Sequence, residues 1–142
     1  MSILADLFVA SAEDAHQYAM PDFHQSIKAR LIPAEYKGLT TLELGTFWAL
    51  LEGSAWSPER HDFIDESIEG DDGSWLYRFP ESLVHLLATV SETRLAEART
   101  EWAATDEISG TPEGLEPLVS DLRKLAQRAQ QAGLSLYLWG CT

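Results

Sequence analysis

Four histidines, His16, His24, His61 and His85, are the side chains best suited to proton transfer or metal binding near neutral pH. His61 has an acid at helical spacing. Asp65 lies four residues on, so in a helix the two share a face, as a base with its orienting carboxylate or as a surface ion pair. His85 sits amid Leu83, Val84, Leu86 and Leu87 and reads as a boundary residue. No histidine pair has zinc spacing, and one cysteine, Cys141, supplies no thiolate cluster, so no metal centre is expected. For calcium, Asp65, Ser67, Glu69 and Gly70 match the start of an EF-hand loop. The bidentate acid required at its twelfth position falls on Leu76, so the match fails where it matters most. A G-x-S-x-G nucleophile motif and a phosphate-cradling glycine loop are both missing, and no cofactor is expected.

What stands out instead is charge and aromatic content. The chain has 23 acids against 10 bases, a formal charge of −13, and five tryptophans in 142 residues. Residues 59–72 alone carry seven acids and one arginine. Trp56 and Trp75 flank this segment. The candidate binding face is therefore Trp56, His61, Asp62, Asp65, Glu66, Glu69 and Trp75, with aromatics supplying contact area and acids selecting a basic protein partner. A second place of interest is Trp102 to Glu107, where acids follow a helix C-terminus against its dipole, or cap a further turn. Nucleic acid and anionic membrane are not expected partners, because counterion release needs a positive footprint.

The elements that must position these residues follow from periodicity. MSILADLFVA, residues 1–10, is apolar on both alternations apart from Asp6, and LSLYLW, residues 134–139, is apolar on both as well. Each reads as a strand buried on two sides. Ser11 opens a short helix that stops before Pro21. Residues 21–38 read as loop, with an extended piece at 29–32. Thr40 with Glu43 forms a capping box ahead of Leu44, Phe47, Trp48 and Leu51, and Gly53 ends that helix. Ser57-Pro58 predicts a third helix to Glu69 with Gly70 at C′, held through Phe63, Ile64 and Ile68 against its own like-charge repulsion. Residues 75–79 are extended. From Pro80, either one bent helix to residue 104 or two helices split at Ser91 fits the stripe. Leu115 to Ala129 forms the cleanest amphipathic helix, closed by Gly133.

The expected fold is a single α+β domain over residues 1–142. It is mostly helical, with about six helices on a small sheet that joins the N- and C-terminal strands and takes a third strand from 29–32 or 75–79. The lone cysteine and the lack of an export signal or spanning segment predict a cytoplasmic protein. The layout resembles the YfbM-like group of small bacterial proteins in its opening strand (ILADLFVAS), Ser-capped helix (SAEDAHQYA), Leu-rich middle helix and closing helix–Gly–strand (LRKLAQRAQQAGLSLYLW). The resemblance implies a bacterial cytosolic α+β domain and carries no catalytic residues with it. Two functions are expected to compete. One is a non-enzymatic acidic protein docking a basic partner, as immunity and antitoxin proteins do. The other is a small hydrolase drawing on His61, His85, Asp65, Glu101 and Asp106 in a cleft.

Overall fold

The computed structural model describes residues 3–67 and 73–142. The two strands that read as buried on both sides, β1 (Leu4–Ala10) and β5 (Ser135–Cys141), pair antiparallel over seven residues, from Leu4↔Cys141 to Ala10↔Ser135. Among the described residues they belong to a sheet of five strands in the order β2-β1-β5-β4-β3. β2 (Ala34–Lys37) lies outside β1. β4 (Trp75–Arg78) and β3 (Ile64–Asp65) extend the other side.

Central position explains the two-sided pattern, since helices cover both faces. Ala5, Leu7, Val9, Leu136 and Leu138 face a core made by α3 (Thr41–Glu52), α4 (Glu81–Thr89), α5 (Glu92–Ala103) and α6 (Pro112–Ala132). Phe8, Ala10, Leu76 and Tyr137 face α1 (Ala12–Ala19) and α2 (Pro21–Leu31). The result is one α+β domain with, among the described residues, six helices on a sheet containing both terminal strands. Among the described residues no helix is long and apolar enough to cross a membrane.

The capping signals at Ser11, Thr40, Gly53, Ser91 and Gly133 hold. Ser11 Oγ accepts the Asp14 amide at 3.2 Å. Thr40 and Glu43 complete their capping box, and Gly53 and Gly133 end their helices at φ +72° and +67°. Ser91 Oγ accepts the Arg94 amide at 3.1 Å, and Val90 adopts an extended ψ of 146°, so residues 80–104 form two helices. Trp48 and Trp102 are core, with Trp102 stacked on Phe47 at 4.4 Å.

Three expectations are corrected. Residues 21–38 are not loop. Pro21, whose missing N–H costs nothing in a first turn, starts α2 as well as ending α1. Only Ile27 of α2 is fully buried, so its apolar period is faint. The extended piece is β2 at 34–37, whereas 29–32 is the end of α2. The third helix from Ser57 to Glu69 does not form over the described residues. A single turn closes at His61 N→Ser57 O, 2.9 Å, and the chain then runs as β3. A β-branched Ile64 and a buried Phe63 suit a strand, and extension separates acids that a helix would stack. Glu69 and Gly70 lie outside the described residues.

Candidate functional site

Loss of the third helix rearranges the acidic face. In a helix Asp62, Asp65 and Glu66 share one side; in a strand successive side chains alternate. Asp65 lies opposite Tyr77, whose alternate neighbour Trp75 covers Gly140 on the α3–α6 side. A Cβ on Gly140 would meet the Trp75 indole at 2.5 Å, so glycine is what lets the ring lie flat there. Burial, together with the negative charge of Asp65 and Asp62, raises the Tyr77 hydroxyl above its ordinary pKa. Ser67, through its hydroxyl and its amide, holds the Asp65 carboxyl below the usual range. Trp56 joins this surface by way of α3. Its Nε1 and the His61 carbonyl both lie against Gly45, just before Asp62. Trp56 remains 47% exposed.

Two of the expected residues leave the face. Glu66 turns to the other side of the sheet, where it meets His16 at 3.1 Å and Arg78 at 3.4 Å. His61 is 3% exposed and does not pair with Asp65. Its Nδ1 accepts the Ser57 amide at 3.0 Å, which assigns the ring proton to Nε2, 2.8 Å from Glu52 Oε1. Its ring also packs edge-on to Trp48 at 5.1 Å. His61 thus pins the loop after α3 onto that helix. Its i, i+4 spacing to Asp65 signified nothing because no helix carries it. Of the expected residues, Asp62 and Asp65 lie near Tyr77, Trp75 shares the sheet face of Tyr77, and Trp56 lies against Gly45 beside the His61 carbonyl.

The five residues of the hydrolase alternative do not converge. His61 bonds Glu52; His85 bonds Gln130 in a cavity between α4 and α6; Asp65 bonds Ser67. Glu101 approaches Arg94, and Asp106 offers its backbone carbonyl to Ser109. At the end of α5, Glu107 reaches across to the Thr46 hydroxyl, and Thr105 caps the Trp102 carbonyl, so this segment fastens a loop. Among the described residues no three His, Cys, Asp or Glu side chains are grouped to hold a metal.

A second polar cluster was not singled out in the sequence. Asp6, the only charge in β1, is 3% exposed. It accepts a short hydrogen bond from the Tyr18 hydroxyl, and Lys28 Nζ lies 3.2 Å from the same oxygen, Oδ2. Lys28 also meets Glu35 at 2.7 Å. Burial pulls the Lys28 ammonium down, but hydrogen bonds and charges from Glu35 and Asp6 outweigh this and leave its pKa above the ordinary lysine value. Burial and Asp6 push the Tyr18 hydroxyl far up, so it stays a donor. Beside this cluster is a cavity of about 420 Å³ walled by Leu4, Asp6, Lys28, Glu35, Lys37 and Trp139. The sequence did contain a signal. An acid inside a two-sided apolar strand needs a partner, because burying it alone costs several kcal/mol.

Comparison of the chain with protein-family models, with curated proteins and with solved structures found no match.

Proposed function

We propose that this chain is a non-catalytic binding protein whose Trp56–Asp62–Asp65–Tyr77–Trp75 surface docks a basic protein partner, in the manner of immunity or antitoxin proteins. The observation that carries the reading is how the charges are paired. Lys28, Arg30, Arg60, Arg78, Arg94 and Arg99 already pair with carboxylates of this chain. Among the described residues no cation lies within ion-pair distance of Asp62 or Asp65. Two carboxylates without an ion-pair partner, near a phenol and following a half-exposed indole in the chain, offer charge and contact area together, the composition of an interface anchor. Opposite charge on the partner would speed encounter and make it sensitive to salt.

The test is retention of proteins from the native host's extract on the immobilised chain, run beside an Asp62→Asn/Asp65→Asn double variant and a Trp56→Ala variant. A basic protein held at low salt, weakened at high salt and lost by the double variant is expected. Equal retention by the double variant, or no retained protein at either salt, sinks the proposal.

A further inference from the structure

The Asp6 cavity lies on the opposite face of the sheet from the acidic surface and toward its opposite edge, so it calls for its own account. On this face Asp6 stands in register between Glu35 of β2 and Trp139 of β5, and Leu4 stands next to Lys37. α1 and α2 cover the half of the face that holds Phe8 and Tyr137. Leu4, at the other end, is 45% exposed and forms the cavity wall.

The polar groups are only half used. Tyr18 and Lys28 both bond Asp6 through Oδ2, and no described residue hydrogen-bonds Oδ1. Lys28 has three ammonium protons and two partners, Asp6 and Glu35. Glu35 meets Lys28 through Oε1 alone, and Lys37 pairs with no described carboxylate. The wall therefore presents two carboxylate acceptors and two ammonium donors beside an apolar side. That side is fixed in place. The Trp139 ring packs against His24 at 4.5 Å and against Tyr18 edge-on at 5.7 Å, while His24 Nδ1 is held by the Tyr18 carbonyl at 2.7 Å.

We propose that this cavity binds a small zwitterion, an α-amino acid with an apolar side chain. Its ammonium meets Asp6 Oδ1 and Glu35 Oε2, the oxygens that Lys28 leaves unused, its carboxylate meets Lys28 and Lys37, and its side chain lies against Trp139 and Leu4. The two positive and two negative groups of the wall cancel, so a ligand with net charge gains little, whereas one carrying both signs finds each matched. Charge-assisted hydrogen bonds at both ends are stronger than the neutral ones a sugar would make. The volume falls within the roughly 300–1,000 Å³ of small-molecule sites.

Calorimetric titration of the full chain with leucine and phenylalanine tests this, beside leucinamide, N-acetyl-leucine and glucose. Leucine and phenylalanine are expected to bind. The amide and the N-acetyl compound, each lacking one charge, bind roughly ten- to a hundredfold more weakly. Glu35→Gln, at an exposed position, weakens leucine binding roughly tenfold or more while the melting temperature stays close to that of the parent. Binding of glucose in place of leucine overturns the proposal, as does equal affinity for N-acetyl-leucine or an unchanged Glu35→Gln variant. An absence of binding at millimolar leucine also overturns it, and the cluster is then only a tether between α2 and the sheet.

Discussion

His61 shows how a residue's role is set by what surrounds it. It looked like an exposed base on a helix face, yet it is a buried clamp held by Ser57, Glu52 and Trp48. Replacing it with alanine removes the ring from under Trp48 and leaves the Ser57 amide without its partner. His61→Ala is expected to lower the unfolding free energy by about 2–4 kcal/mol in urea titration, whereas Asp65→Asn changes it by less than about 0.5 kcal/mol. Equal effects of the two would restore the surface ion pair. Glu52 receives both His61 and the Arg60 guanidinium. Burial alone would raise its pKa, but these partners bring it below the ordinary 4.5. A carboxylate whose folded pKa is depressed binds its proton more readily when the chain unfolds. Its stabilisation is therefore present above pH 4.5 and is lost as pH falls through the lower folded value. The loss of stability from pH 6 to about pH 3 should be smaller in Glu52→Gln than in the parent, and an identical loss would remove Glu52 from the account.

At the scale of elements, the α2–β2 junction holds a strained turn beside a candidate site. Ile32 ends α2 at φ +50°, immediately before Pro33, with 78% of its surface exposed. A β-branched residue in the left-handed region costs about 1–2 kcal/mol, and this one gains little burial in return. Ile32→Gly removes the strain at the expense of about 0.5–1 kcal/mol of chain entropy. The variant is expected to equal or exceed the parent in stability by up to about 1 kcal/mol in urea. A clear loss would show that the isoleucine side chain has a packing role. The acidic stretch teaches the complementary lesson. Its proline and capping signals were genuine local cues for a helix start, and they produced one turn. Pairing of β3 with β4, extended by Glu66 N→Leu76 O at 2.8 Å, decided the rest.

For the whole molecule, the last strand is structurally the most central. β5 lies between β1 and β4, and Leu136, Tyr137 and Leu138 are at most 1% exposed, serving both cores. A chain ending at Gly133 would leave β1 and β4 without their shared neighbour and open both faces of the sheet. It is expected to lose cooperative thermal unfolding by circular dichroism, and a retained sharp transition would show that the helical layer folds alone.

Local rules made much of this legible in advance. The caps at Ser11, Thr40 and Ser91, the glycine stops at Gly53 and Gly133, and the two-sided strands at either end depend on neighbours within a few residues or on a simple period. The meeting of those strands followed from their shared need for cover on both faces. Tertiary structure alone decided that residues 64–65 join an edge of the sheet, sending Asp65 and Glu66 to opposite faces. It alone decided that Asp6 meets Tyr18, Lys28 and Glu35. A buried carboxylate announces in sequence that it needs partners, but the partners are chosen by which helix crosses which strand. That choice depends on the packing of the whole chain, which no local period records.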